Sequence, residues 1–212
     1  WEGNQVPGRS VRLSGRMATL RTVTFPAAAG RLPPPTLVTG TPIRGLEGLD
    51  RDEARRRLGL PADLPGLLIF GGSQEVKRFN VAVSEAIADL VERCVVVHIT
   101  GAGGIAAAEA DRGRLPVDRQ DRYHPYSFLD KEMGAALASA QFVVGRAGSS
   151  TLAECASAGV PLLIVPYPHA AAHQRANADE LVEAGGAILV DDEDLDGDTL
   201  REACDLLFDE RL

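Results

Sequence analysis

The sequence predicts an α/β fold in which a parallel sheet carries helices on both faces. Three observations lead there. From Thr36 onward, short apolar runs alternate with stretches of helical periodicity. The runs are rich in β-branched residues, as strands buried on both faces are. Strands and helices in alternation are the pattern of parallel crossover units, and no repeat with a period of about 20 to 50 residues points to a solenoid instead.

The elements follow in order. Asn4-Gln5-Val6-Pro7-Gly8 is a turn signal, Arg9 to Arg21 has weak helical periodicity with little apolar mass, and Pro33-Pro34-Pro35 reads as an extended linker. Residues 1–35 therefore read as the remnant of a preceding domain. The strands expected are Leu37–Thr39, Leu67–Phe70, Cys94–Ile99, Tyr123–Tyr126, Phe142–Val144, Leu162–Val165 and Ala187–Val190. The helices expected are Arg51–Leu58, Lys77–Glu92, Gly104–Arg112, Lys131–Ser139, Thr151–Ala158, Ala172–Ala184 and Asp198–Phe208. On the first helix, Arg55-Arg56-Arg57 reads as a solvated face, with Glu53 placed i,i+4 to Arg57.

Composition narrows the function. Hydrophobic residues at 45% and charged residues at 25% exclude disorder, collagen and coiled coil. A chain of 212 residues can bury a core without disulfides or metal. Twenty-two basic against 30 acidic side chains give a net charge of −8. That balance speaks against nonspecific nucleic-acid binding and against this chain being the main contact with an anionic membrane. Cys94, Cys155 and Cys204 are odd in number and too scattered for a zinc site, so a reducing, cytosolic compartment is expected. No apolar run approaches the ~20 residues of a membrane span, and no signal peptide is visible. The chain opens at Trp1 without an initiator methionine and ends just after a helical pattern, so a fragment is expected.

In open parallel sheets ligands bind beyond the carboxyl ends of the strands. Three loops there carry suitable chemistry. Gly71-Gly72-Ser73-Gln74 precedes a helix; it offers close backbone approach and helix N–H groups to an anion, or it is a tight turn with Ser73 as N-cap. Gly145-Arg146-Ala147-Gly148-Ser149-Ser150-Thr151 has the same logic with more hydroxyls. In it, Thr151 to Glu154 reads as a capping box, while Glu154 alternatively accepts hydrogen bonds from a ribose diol. Pro166-Tyr167-Pro168-His169 leads to His173, Gln174 and Asn177, which either read sugar hydroxyls or form a solvated first turn. His169 and His173 lack the H-E-x-x-H pattern and a nearby carboxylate, so a metal is not expected.

Two further motifs are set aside. Gly101-Ala102-Gly103-Gly104-Ile105-Ala106 fits G-x-G-x-x-A, but it is not in the opening βαβ unit and lacks the later acidic residue of a dinucleotide site. Asp192 to Gly197 opens like a calcium loop, but Ala203 stands where a bidentate glutamate is needed, so an acidic cap on the following helix is expected.

Taken in order, the Gly71 to Gln74 loop, Phe128-Leu129-Asp130-Lys131-Glu132-Met133, Arg146 through Glu154, and Pro166 to His169 with His173, Gln174 and Asn177 resemble a known family. They look like the carboxyl-terminal, donor-binding half of MurG-type peptidoglycan N-acetylglucosaminyltransferases. Gly40-Thr41-Pro42-Ile43-Arg44 is similar to that family's entry into its second domain, and Glu2 to Gly8 to the end of its first. Trp1 and Gly3 depart from the family's His and Gln, and Glu75 from its small residue.

The resemblance implies a Rossmann-like sheet forming the carboxyl-terminal half of a GT-B glycosyltransferase. Residues 1–35 would be the remnant of the amino-terminal acceptor domain and linker, and residues 36–212 the donor domain, truncated at its carboxyl end. It implies UDP-N-acetylglucosamine as donor and undecaprenyl-linked lipid I as acceptor, at the inner face of the bacterial cell membrane, with no cofactor or metal. By resemblance Arg44, Ser73 and Gln74 lie near the diphosphate, and the Leu129 backbone reads the uracil edge. Gly148, Ser149, Ser150, Thr151, Leu152, Ala153 and Glu154 run along phosphates and ribose. Gln174, beside His173, contacts the sugar, and Asn4 belongs to the acceptor side. The catalytic groups are expected in the amino-terminal domain, and the membrane patch with them. A UDP-sugar-binding module needing a partner chain, a GT-B enzyme with another acceptor, and an epimerase on the same donor remain open alternatives.

Overall fold

Six strands, β3 (Gly66–Phe70), β4 (Val95–Ile99), β5 (Tyr123–Tyr126), β6 (Phe142–Gly145), β7 (Leu162–Ile164) and β8 (Ala187–Leu189), form one sheet in the order β5-β4-β3-β6-β7-β8. Every neighbouring pair is parallel. The computed structural model describes residues 1–43, 49–72, 76–168 and 171–208. Arg44, Ser73, Gln74, Glu75 and His169 lie outside the described residues.

The period-2 alternation of a strand sends successive side chains to opposite faces. Leu67 and Ile69 of β3 join Val96, Phe142 and Val144 in one core. Leu68 and Phe70 join Val97, Val143, Leu162 and Ile164 in the other. Helices cover both. On the first face lie α4 (Lys77–Arg93), α5 (Ile105–Arg114) and α9 (Gly197–Phe208). On the second lie α3 (Arg51–Leu58), α6 (Met133–Ser139), α7 (Ser149–Ala158) and α8 (Ala171–Glu183). Helix α4 shows why such helices dock. Phe79, Ala82, Val83, Ala86, Ile87, Leu90 and Val91 recur at helical spacing on its buried stripe. Each large side chain among them contributes about 1.5–3 kcal/mol by burial.

The expected strands of this sheet and all seven expected helices are present, with ends shifted by one or two residues. The strand expected at Leu37–Thr39 is different. It exists as β2 (Thr36–Val38), but it pairs in parallel with β1 (Arg21–Val23), in a separate two-stranded sheet. The reason is exposure: Leu37 and Val38 are half exposed, which the interior of the large sheet would not allow. The boundary expected after Pro35 therefore runs between two paired strands. Two short helices, α1 (Arg9–Ser14) and α2 (Pro26–Ala29), flank β1, the second opening with Pro26 at its first position. Buried Arg21 ties this unit together by donating to the carbonyls of Gly15, Ala18 and Pro35.

The first residues dock on α8. Asn177 is fully buried; its Oδ1 accepts the Gln5 N–H at 2.9 Å and its Nδ2 donates to Asn4 Oδ1 at 3.0 Å. The buried Glu2 carboxylate accepts from the Asn4 backbone, the Asn4 amide and the Gly8 N–H. Such charge-assisted bonds fix the segment's path.

Arg55 corrects a reading from sequence. It is buried, and donates to Pro61 O, Ala62 O and Gln141 Oε1. The chain after α3 folds back under its guanidinium and supplies those acceptors. Glu53 pairs with Arg56, three residues on, rather than with Arg57.

Candidate functional site

The strand order reverses between β3 and β6. The connections leaving these two strands diverge to opposite faces of the sheet, and a crevice opens at their carboxyl ends. The Gly71-Gly72 and Gly145-to-Thr151 loops flank that crevice, and a cavity of about 560 Å³ occupies it. Its apolar side is Phe70, Ile99, Leu129 and Met133. Gly72, Val76, Gly101 and Ala102 form a wall of small and branched residues, and Phe128 stands exposed at the rim. Ser127, Ser150, Thr151 and Glu154 supply the polar side.

Helix α7 points its amino end at this cavity. Its N-cap is Gly148, with extended backbone (φ −68°, ψ 138°), and the first intrahelical bond is Leu152 N–H to Gly148 O at 3.0 Å. The N–H groups of Ser149, Ser150 and Thr151 thus precede the hydrogen-bonded ladder. They give the helix end about half a positive charge, which favours an anion there. Glu154 follows one turn in, half-buried on the cavity side. Apolar surface at one end, helix N–H groups at the other and a carboxylate between them suit a nucleoside diphosphate: base, phosphates and ribose diol respectively.

Gly72 matters for this geometry. Its φ is +68°, and a Cβ built on it would meet nothing within 4 Å. A glycine adopts that conformation without strain and leaves the space beside it open.

One capping reading from sequence is corrected. The Thr151-to-Glu154 box is out of register, because α7 starts at Ser149 and its N-cap, Gly148, makes no side-chain cap bond. Thr151 is inside the helix. The N-cap of α4 is Val76; the reading of Ser73 as N-cap lies outside the described residues.

The other expected site residues are distributed as follows. Leu129, Ser150, Thr151 and Glu154 line the cavity. Ser149 starts α7 on the side covered by Gly3: a Cβ on Gly3 would lie 2.5 Å from Ser149 Oγ. Leu152 packs into the core behind, and Ala153 is half-buried. Gln174 accepts the Tyr167 N–H at 2.8 Å, holding the loop after β7 against α8. His173 is exposed, whereas Asn177, one turn on, is buried against Asn4. Asn4 is thus engaged by Glu2 and Asn177.

Sequence reasoning missed several contributors. Val76, Gly101 and Ala102 line the cavity; the signal was the glycine-rich turn set aside as a dinucleotide motif. Arg146 is buried at the root of the second loop. It donates to Val165 O and Pro166 O at 3.2 and 3.3 Å, pairs with Asp192, and lies over the Phe79 ring at 4.6 Å. One guanidinium therefore joins the loops after β6, β7 and β8. Asp192 also pairs with Arg78 at 3.2 Å, so the acidic stretch from Asp192 serves ion pairs as well as the expected cap. That cap is Asp196, whose Oδ1 accepts the Thr199 N–H at 2.8 Å. A second cavity of about 530 Å³ adjoins these ion pairs, and Glu85, Asp192 and Asp196 balance the charge of Lys77, Arg78 and Arg146 around it.

No cysteine offers a nucleophile here. All three are buried, and burial pushes the Cys155 and Cys204 thiols up to about 12 and the Cys94 thiol higher still. Among the described residues, no helix is long and apolar enough to cross a membrane, and no cluster of metal-ligating side chains occurs.

Residues 66–212 match the glycosyltransferase family 28 C-terminal domain. The UDP-N-acetylglucosamine–N-acetylmuramyl-(pentapeptide) pyrophosphoryl-undecaprenol N-acetylglucosamine transferase of Frankia casuarinae is 36% identical over 208 residues, covering 95% of this chain and 54% of that protein. The enzyme of the same name from Clavibacter sepedonicus is 38% identical over 205 residues, covering 93% of this chain and 52% of its own length. Among solved structures, MurG of Acinetobacter baumannii superposes with a TM-score of 0.70 at 26% identity, covering 97% of this chain and 55% of that one. The chain spans about half the length of the curated relatives it matches.

Proposed function

Because the chain belongs to the glycosyltransferase family 28 C-terminal domain family and has the fold of a GT-B carboxyl-terminal half, we propose that it is the donor-binding half of an inverting N-acetylglucosaminyltransferase. The donor is UDP-N-acetylglucosamine, and the acceptor is undecaprenyl-linked lipid I, which becomes lipid II in peptidoglycan synthesis. The observation that carries this reading is the convergence of the α7 amino end, Glu154 and Leu129 on one cavity at the switch point.

In this reading the acceptor hydroxyl attacks the anomeric carbon from the face opposite the diphosphate. The bond to UDP breaks as the new glycosidic bond forms, and the configuration inverts. Negative charge grows on the departing diphosphate. The α7 N–H groups stabilise it more in the transition state than in the ground state, which is how a fixed dipole accelerates a reaction. Arg44, Ser73 and Gln74 add donors to the diphosphate, Glu154 holds the ribose diol, the Leu129 backbone reads the base edge, and Gln174 with His173 meets the sugar. The reading calls for no cofactor and no metal, and no nucleic acid takes part. The base and the membrane-facing surface belong to an acceptor domain, of which residues 1–35 are the end. The enzyme works in the cytoplasm, peripheral to the inner face of the bacterial membrane.

Calorimetric titration tests this. UDP and UDP-N-acetylglucosamine should bind this chain, NAD should not, and the chain alone should transfer no sugar to lipid I. Preference for NAD, or measurable transfer by this chain, would overturn the reading.

A further inference from the structure

Helix α4 opens with two residues, one turn apart, that reach the loops on either side. A Cβ on Gly71 would lie 2.2 Å from Val76 Cγ1, and one on Gly101 would lie 3.3 Å from Val76 Cγ2. Val76 is therefore wedged between the loop after β3 and the loop after β4. One turn on, Asn80 Nδ2 donates to Thr100 O at 3.0 Å. A Cβ on Gly104 would stand 2.2 Å from that nitrogen and 2.6 Å from Thr100 O. The carboxamide thus fills the place a side chain at 104 would need. Thr100 is held from the other side by Tyr126 O, which accepts its N–H at 2.8 Å.

These contacts give the Gly101-to-Ala106 motif a use unrelated to dinucleotides. Gly101, with φ +71°, and Ala102 form the cavity wall beside Ile99 and Leu129. That wall is on the β4–β5 side, opposite the helix end suited to phosphates, and its apolar lining suits a base. Asn80 does not line the cavity. The geometry points to Asn80 as the positioning residue that sets the base-side wall, by pinning Thr100 O through a bond for which Gly104 leaves room. The inference rests on the nucleotide reading of the cavity.

The choice of an amide is specific. Only a donor can face Thr100 O; an aspartate would set one acceptor against another. Asn80 Oδ1 has no hydrogen-bond partner among the described residues, and neither has His98 Nε2. Both residues line a small cavity of about 180 Å³ behind the loop. The amide therefore holds its orientation through the Thr100 bond.

The test uses two ligands that divide the nucleotide: uridine for the base side and inorganic pyrophosphate for the helix end. Each is titrated by NMR against the parent, Asn80→Asp and Asn80→Ala, with circular dichroism and melting curves alongside. Both variants should bind uridine about tenfold more weakly, the effect of about 1.4 kcal/mol, and pyrophosphate as the parent does. Unchanged uridine affinity overturns the proposal. So does an equal loss for both ligands, which marks general loosening of the carboxyl edge. A parent that binds neither ligand refutes the nucleotide reading itself, and the proposal with it.

Discussion

Two glycine-rich turns lie near each other at the carboxyl edge of the sheet. After β6, a Cβ on Gly148 would find only Thr151 Oγ1, at 3.7 Å; after β4, a Cβ on Gly104 would collide with Asn80 and with the Thr100 carbonyl. The first turn presents a helix end to space a ligand can enter. The second borders the cavity with Gly101 and Ala102, but at Gly104 it holds no space, because the protein's own amide occupies it. A glycine pattern counts the missing side chains but not what stands opposite them. The same spacing therefore leaves a helix end open in one place and serves internal packing in another.

Four comparisons probe that contrast. The largest effect is expected at Gly72, which belongs with the open class. Gly72→Val places a β-branched side chain at positive φ and into the approach to the cavity. UDP binding should vanish in calorimetry while far-UV circular dichroism stays that of the parent. Retained binding would make this loop an ordinary turn and leave the α7 end as the sole anion site.

Glu154→Gln keeps the shape and removes the charge. If the carboxylate holds the ribose diol, UDP affinity falls by about 1.5–3 kcal/mol. Because the capping box is out of register, the melting temperature should barely move. A lower melting temperature at unchanged UDP affinity would assign Glu154 to the helix instead.

The two glycines themselves give the direct comparison. Gly104→Ala should cost about 1–3 kcal/mol of stability in urea titration, since a backbone oxygen blocks the new methyl. Gly148→Ala should cost only about 0.5 kcal/mol, the difference between glycine and alanine at an N-cap, yet weaken UDP. Equal stability losses would erase the distinction between open and filled turns.

The last comparison concerns His98, below the filled turn. Burial lowers its pKa to about 3, and its Nδ1 lies 2.9 Å from the Tyr123 hydroxyl. The unfolded chain binds the extra proton near the ordinary value of about 6.5. Between the two values the unfolded state holds more protons, so acid favours unfolding. The His98 contribution is complete above pH ~6.5 and declines by about 1.4 kcal/mol per unit as pH falls toward 3. Stability measured from pH 7.5 to 5 should drop more steeply in the parent than in His98→Gln; parallel slopes would show that His98 is not buried neutral.

The large sheet was legible because most of its strands are apolar runs, and the central pair, β3 and β6, run into glycine, so local pattern and burial agree. Strand β1 was not. Arg21-Thr22-Val23 is three residues long and mostly polar, and Arg21 becomes buried where the carbonyls of Gly15, Ala18 and Pro35 gather around it. Arg55 was misread for the same reason: acceptors after the helix, and Gln141 far along the chain, decide its fate. Ser150, Thr151 and Glu154 were visible as loop chemistry, and Leu129 only through the family resemblance. Val76 and Asn80 were hidden, since nothing in a helical stripe tells which residue will meet the neighbouring loop.

The Asn177 contacts have a consequence for synthesis. Gln5 and Asn4 meet a residue 172 and 173 positions later. A ribosome adding about 5–20 residues per second makes the opening segment wait roughly 10–35 s for its partner. Through that interval the Glu2 carboxylate and the Asn4 amide are exposed to water and to other chains. Asn177, far along the chain, therefore decides when Asn4 and Gln5 come to rest.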